Sequence, residues 1–406
     1  MMNHGWSWRS TDRRVVAVSR SWCLVTLALI AAVGEACGPG VFPEVSPSAT
    51  PSGTASATPT PTPASGAVSA SRVFVTNFAD GKVSALTNSS GTLSAPTTIA
   101  AGAASGPVGL TLATPPGATA PLALYVANPA DDTIHEFGVS SSGNLSELAT
   151  IAAGSRPHHV AVDPTGSFAW AINSGGSISQ YLINTQTGKL STNSTASITQ
   201  GLVAPVSGVA SGSFLYVTDP SNGAGLALTY SANNGLLSLA TSVATGGANP
   251  GQLAAFSVTG GSTWVAVADG TSGVVSLFQV QGSALSLFGT VGTGSGAAGL
   301  VFAQTSSGLT FLYVANSLAD SVTSFSFNTT TGVLALLAVT TGLSGPTGLA
   351  VDNPSAATRL FAANNTNGTV STFSLDPTTG QLTAINSFAT ESPANSASAP
   401  EFVGVL

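Results

Sequence analysis

The chain has 406 residues with a formal net charge of −7, and only 6% of them are charged, against about 25% in an ordinary globular protein. A groove that tracks phosphates needs clustered Lys and Arg; here four of the nine basic residues precede position 21, and the rest are the scattered Arg72, Lys82, Arg156, Lys189 and Arg359. Two cysteines exclude a disulfide framework and Cys-rich zinc sites, while 43% hydrophobic residues argue against polar disorder.

The chain opens with Arg9, Arg13, Arg14 and Arg20, followed by the apolar run Trp22 to Val33. At twelve residues this run is too short for a bilayer, which needs about 20 helical residues. A basic start, a short apolar centre and small residues after it describe an export signal over 1–36. Gly34-Glu35-Ala36-Cys37 also resembles a bacterial lipoprotein box, departing from it at Gly34 and Glu35, so that Cys37 is expected to carry a lipid. Plain secretion with a free thiol is the alternative. Residues 37–71 interleave Pro43, Pro47, Pro51, Pro59, Pro61 and Pro63 with Ser, Thr, Ala and Gly. Such a stretch stays extended and reads as a spacer. The expected location is outside the cell membrane, as an envelope lipoprotein or a secreted protein, with membrane contact only through the anchor.

From residue 72 the chain repeats. A short β-type run ends in Asn77, Asn128, Asn173, Asp219, Asp269, Asn316 and Asn364, at intervals of 45 to 51 residues. A Gly-x-Leu turn follows each run, as in Gly91-Thr-Leu93 and Gly188-Lys-Leu190, with one extra residue in Gly282-Ser-Ala-Leu285. A strand led by Pro107, Pro157, Pro205, Pro250 or Pro346 precedes the run, with Ala297 in the Pro slot once. Each unit therefore holds four strands, A to D; in one unit they are 157–163, 168–173, 177–183 and 190–198. Seven such units predict an all-β, seven-bladed β-propeller over 72–406. The first unit lacks strand A and Pro400 to Leu406 is an orphan strand A, so the C-terminal strand is expected to complete the N-terminal blade and close the ring.

The Tyr-Val-Ala-Asn runs, the Thr185-Gln-Thr-Gly-Lys-Leu190 turn and the strand Arg156-Pro-His-His-Val-Ala-Val-Asp-Pro-Thr-Gly166 resemble the seven-bladed lactonase propellers. That family includes 6-phosphogluconolactonase of the propeller type and muconate-lactonising enzymes. The resemblance extends to surface proteins built on Tyr-Val-Thr-Asn repeats, so it specifies fold better than chemistry. It implies a His, an Arg and a Glu at one end of the channel. The family's Gly-Pro-Arg-His segment is Ala204-Pro-Val-Ser207 here, which removes the Arg and the His, and Asp219 holds the place of the Glu.

His158 and His159 are then the candidate general bases, with Asp219 as the third catalytic candidate. Arg156 and Gln252 are the candidate ligand-binding residues. His159 occupies a slot that holds Gly109, Ser207, Gly299 and Gly348 in other repeats, so both rings are expected near the channel mouth. The bland alternative is a pair of packed rings finishing a loop. The Asn/Asp series reads as local turn chemistry rather than a polar collar. Asp131, Asp132 and Glu136 lack calcium-loop spacing and read as a solvated hairpin; Lys82 and Arg359 read as lone surface charges. No metal and no cofactor is expected. The expected function is a diverged hydrolase of small neutral lactones, with phosphorylated lactones disfavoured by the scarcity of cations. The alternative is a non-catalytic propeller that presents its channel face to a glycan or a surface protein. The chain is expected to act as a monomer.

Overall fold

A computed structural model describes residues 71–102, 106–115, 121–391 and 400–405. The export signal, the spacer and Cys37 lie outside the described residues. The described chain is all β: seven antiparallel sheets, each an A-to-D blade, with no helix among the described residues. Blade 3 runs Pro157–Val162, Phe168–Asn173, Ser177–Ile183 and Leu190–Ile198, and the other blades repeat that order. In blade 1 the strand Pro400–Val405 pairs antiparallel with Ser71–Asn77, aligning Val73 with Val405 and Asn77 with Pro400, and strand D is split into Thr92–Leu93 and Thr97–Ala100. The A strands of blades 2 and 4 start later than their prolines, at Leu110 and Ser207. Their leading residues still bond the neighbour: Val108 N–H donates to Ala127 at 3.0 Å and Val206 N–H to Thr218 at 3.0 Å.

Strand B is buried on both faces, as in Ala123–Asn128 and Phe168–Asn173. Two-sided burial follows from blades standing face to face, so β-branched, aromatic and alanine residues fill these strands where charges would be desolvated. The core is accordingly seven separate layers, one between each pair of neighbours. The layer of Val73, Val75 and Leu86 against Phe361, Ala363 and Val370 joins blade 1 to blade 7 and closes the circle.

The Gly-x-Leu turn has a packing cause. An aromatic residue on strand B reaches the C–D turn of the next blade. Tyr125 donates its hydroxyl to Gly188 O at 2.7 Å, Trp170 its Nε1–H to Gly235 O at 3.1 Å, and Tyr313 to Gly380 O at 2.9 Å. These glycines have φ of 74°, 66° and 68°. A Cβ on Gly235 would enter the Phe168 ring and one on Gly380 the Phe311 ring. Only glycine meets both demands.

Strand B's terminal Asn or Asp clips the blade together. Asn316 Nδ2 donates to Ser321 and Thr323 hydroxyls at 3.2 and 2.8 Å, and Asn364 does the same with Thr369 and Ser371 at 2.9 and 2.8 Å. Three of the sequence expectations for charged residues need correction. Glu136 is 1% exposed rather than solvated, because it sits mid-strand facing the next blade. Lys82 pairs with Glu391 at 3.1 Å. Arg359 lies 3.8 Å from Asp352 and is partly buried. Asp132 is exposed, in keeping with a solvated hairpin, and its carboxylate also takes the Arg156 N–H at 2.6 Å.

Candidate functional site at the channel mouth

Strand A lines the channel, and strand B ends where strand A begins, so the A-strand starts and the B–C turns share one end of the ring. There a cavity of about 520 Å³ collects residues from all seven blades. The residue just after the Pro slot in blades 2 to 7 supplies six of the thirteen lining residues: Val108, His158, Val206, Gly251, Ala298 and Thr347. Ser207 and Gln252, one residue further on, also reach it, and the B–C turns add Phe78, Pro129, Ala130 and Ser174. Arg156, immediately before Pro157, completes the lining.

The register explains which residue faces inward. Strands A carry a bulge near their start, seen where Asn173 pairs with Pro157 and Ile172 with His159, and again between Pro250 and Leu253. The extra residue resets the alternation at the mouth. Of the five sequence-derived candidates here, the structure brings Arg156, His158 and Gln252 to one cavity, and it does not bring His159 or Asp219 there.

His158 is desolvated, which lowers its pKa below the ordinary imidazole value. The Val206 backbone, as hydrogen-bond acceptor, opposes that shift, and the nearby Arg156 charge adds to it. Its Nδ1 has no hydrogen-bond partner among the described residues. That nitrogen is shielded from solvent and the Arg156 charge opposes its protonation, so the ring is a neutral imidazole that takes up a proton only where water or a ligand reaches it in the cavity wall. Arg156 is exposed and forms no ion pair among the described residues.

His159 lies deeper, in space that a glycine vacates. A Cβ on Gly109 would come within 2.8 Å of both the Cα and the Cδ2 of His159. Burial, together with the neighbouring His158, holds its pKa down to about 4, against an opposing hydrogen bond to the Gly208 backbone. Asp219 is fully buried, and its carboxylate is occupied by the backbone N–H groups of Val203 at 2.6 Å, Ala204 at 3.2 Å and Ser221 at 3.1 Å. That carboxylate holds the loop entering blade 4.

The turn residues Phe78, Pro129, Ala130 and Ser174 were not singled out from the sequence. A signal was present, since each follows one of the strand-terminal Asn residues by one or two positions.

The profile of the family described as Lactonase, 7-bladed beta-propeller, matches residues 118–207 and 289–396. Among solved structures, a candidate 6-phosphogluconolactonase from Bacteroides fragilis is similar over 84% of this chain and 99% of its own, with 20% identity and a TM-score of 0.67. A protein from Lactobacillus plantarum is similar over 83% and 99%, with 20% identity and a TM-score of 0.68. The Pseudomonas aeruginosa periplasmic gluconolactonase PpgL is similar over 83% and 99%, with 17% identity and a TM-score of 0.66. No functionally curated protein matches the chain in sequence. At such identities the likeness speaks for fold alone; the matched family profile and the seven closed blades agree in making this chain similar to the seven-bladed lactonase propellers.

Proposed function

We propose that the protein hydrolyses small neutral lactones at the channel mouth and that it does so outside the cell membrane, tethered through Cys37. The observation that carries the catalytic half is the shared cavity of His158 and Arg156. In this reading His158 takes a proton from water as the water oxygen attacks the lactone carbonyl carbon. The Arg156 guanidinium faces the oxyanion that develops. The ring C–O bond then breaks, the proton passes from the imidazolium to the departing alkoxide, and a hydroxy acid leaves. Gln252, Ser207 and Ser174 offer hydrogen bonds to ligand hydroxyls. Phosphorylated lactones fit this lining poorly, because Arg156 is the one permanent cation among the described lining residues.

The second reading, a non-catalytic glycan- or protein-binding face, has one observation in its favour: Asp219, in the family's carboxylate place, is consumed by backbone N–H groups. One experiment separates the two. Hydrolysis of glucono-δ-lactone by the purified protein is measured above the spontaneous rate, for the wild type and for His158→Ala. Catalysis that vanishes in the variant supports the first reading. No acceleration by the wild type favours the second, and equal rates move the chemistry away from His158. For the tether, intact mass of the membrane fraction should show acylated Cys37, and Cys37→Ala should release the protein.

A further inference from the structure

The residue before each Pro slot sits where strand A enters from the preceding loop, and the ring prefers a left-handed backbone there. Gly106, Gly296 and Gly345 take φ of 93°, 72° and 60° at this position. Arg156 takes the same slot with φ of 55°. A long L side chain is strained in that region, and the proline that follows disfavours it further. Strain of this kind persists only where the surroundings over-determine it.

Three hydrogen bonds do so. Asp132 Oδ1 accepts from Arg156 N–H at 2.6 Å, and Arg156 O accepts from Ser174 N–H at 2.8 Å and from Ser174 Oγ at 3.0 Å. Asp132 is itself left-handed, with φ of 57°. The ring contains the same device once more: Asp320, with φ of 48°, accepts from Gly345 N–H at 2.7 Å. At that second copy the clamped residue is a glycine, so the clamp serves the scaffold alone. In blade 3 it holds an arginine that lines the cavity, whose charge acts on His158 and has no ion-pair partner among the described residues.

We propose that Asp132 is a positioning residue that locks the strained Arg156 backbone so that its guanidinium stands in the cavity as the anchor for the carboxylate of a small polyhydroxy acid. This deepens the catalytic reading and rests on its choice of cavity. A hydroxy acid is what lactone opening yields, and a planar guanidinium matches a carboxylate in a bidentate pair. Gln252 and Ser207 line the same cavity, within the reach of hydroxyl groups along such a chain.

The test is gluconate binding by calorimetry, with glucose as the neutral control, on the full chain. Wild type is expected to bind gluconate more tightly than glucose. Arg156→Gly is expected to lose about tenfold or more in gluconate affinity, with glucose binding unchanged. Its melting temperature should be equal to or above that of the wild type, because glycine fits the slot. Asp132→Gly keeps the left-handed turn but removes the acceptor, and is expected to weaken gluconate binding by about three- to tenfold. Asp132→Asn restores an acceptor and tolerates the left-handed turn, and should bind within about twofold of wild type. Asp320→Gly removes the twin clamp and should lower the melting temperature while leaving gluconate affinity alone. Gluconate affinity no greater than that for glucose, or equal losses in Asp132→Gly and Asp320→Gly, overturns the proposal. Gluconate affinity unchanged in Arg156→Gly, with His158-dependent hydrolysis intact in the wild type, sinks the anchor and leaves the lactonase reading standing. Arg156-dependent gluconate binding without any hydrolysis does the reverse.

Discussion

From Pro250 to Thr341, blades 5 and 6 contain two acidic residues, Asp269 and Asp320, and no basic one. Blades 2 and 3, from Pro107 to Ile198, contain every histidine of the described residues, with Asp131, Asp132, Glu136, Glu147, Arg156, Asp163 and Lys189. The two regions have the same strand order, the same aromatic-to-turn hydrogen bonds and the same kind of inter-blade layer. Blades 5 and 6 therefore demonstrate that the scaffold stands with only two carboxylates and no basic residue among its charges. Those in blades 2 and 3 are additions, and several oppose folding: burial raises the Glu136 pKa and lowers those of both histidines. Of these three costly groups only His158 lines the cavity, where a perturbed group can serve a site.

The largest expected effect breaks the ring between the regions. Deleting residues 400–406 strips strand A from blade 1 and exposes the edge of Ser71–Asn77. The truncated protein should fail to fold, or melt at least about 10 °C lower, a shift of several kcal/mol for a domain this size. Hydrogen exchange should then rise in blades 5 and 6 as much as in blades 2 and 3. An unchanged melting temperature would show that the ring does not depend on its C-terminal strand.

The second effect belongs to the histidines. Both have folded-state pKa values below the unfolded value of 6.5, with His159 near 4. Between those limits the unfolded chain binds more protons than the native one, so stability rises with pH across this window. The stabilisation is complete above about pH 6.5 and is lost on descent toward pH 4, with His159 alone accounting for on the order of 3 kcal/mol. Melting curves from pH 7 to pH 4 should show the fall, and His159→Gln should flatten it. In the same assay any His158-dependent hydrolysis should keep its acid limb below pH 6.5, and Arg156→Gly should move that limb upward by removing a charge that disfavours the imidazolium.

The third tests whether the regions share a scaffold. Tyr125→Phe in blade 2 and Tyr313→Phe in blade 6 each remove one hydroxyl bonded to the next blade's turn. Each leaves a buried carbonyl short of a partner and should cost about 1–2 kcal/mol by chemical denaturation. Equal losses support a common frame. A much larger loss at Tyr125 would mean that the charged region also relies on its scaffold bonds more heavily.

How much of this was legible in sequence divides along the same line. The blade number, the strand order and the closing strand followed from marks that recur in every repeat, because each mark answers a demand the ring makes at every blade. Gly188, Gly235 and Gly380 must admit an aromatic edge, and the strand-terminal Asn must clip strand C. The site follows no such rule. The bulge after Pro157 decides that His158 rather than His159 lines the cavity, and a bulge leaves no residue signature there. Asp219 sits in a plausible catalytic place, yet its carboxylate is turned to Val203 and Ala204, which is a matter of loop path. Arg156 was recognisable as a candidate; its strain was hidden until Gly106 and Gly345 could be seen in the same backbone state.

The smallest expected effect is the sharpest probe of cost. Glu136 on strand C of blade 2 accepts the Leu190 N–H at 2.9 Å, while Gln180, on strand C of blade 3, accepts the Leu237 N–H at 2.8 Å. The two side chains do the same work one blade apart, one ionisable and the other neutral. Burial raises the Glu136 pKa, against the opposing pull of the Leu190 N–H and the Lys189 charge. For an acid whose folded pKa is raised, the native state gains protons relative to the unfolded one, so this group favours folding at low pH and loses that contribution as pH climbs through its folded value. At pH 7 the carboxylate is a net burden. Glu136→Gln keeps an acceptor, removes the charge and copies a solution already present in blade 3. It should raise stability at pH 7 by about 0.5–1 kcal/mol, and the gain should shrink as pH falls toward 4. A loss of stability at pH 7 would mean that the Glu136 charge is held in place by Lys189 strongly enough to outweigh its burial, and the view of blades 2 and 3 as a costly addition to a sparsely charged scaffold would then fail at the residue where it is easiest to test.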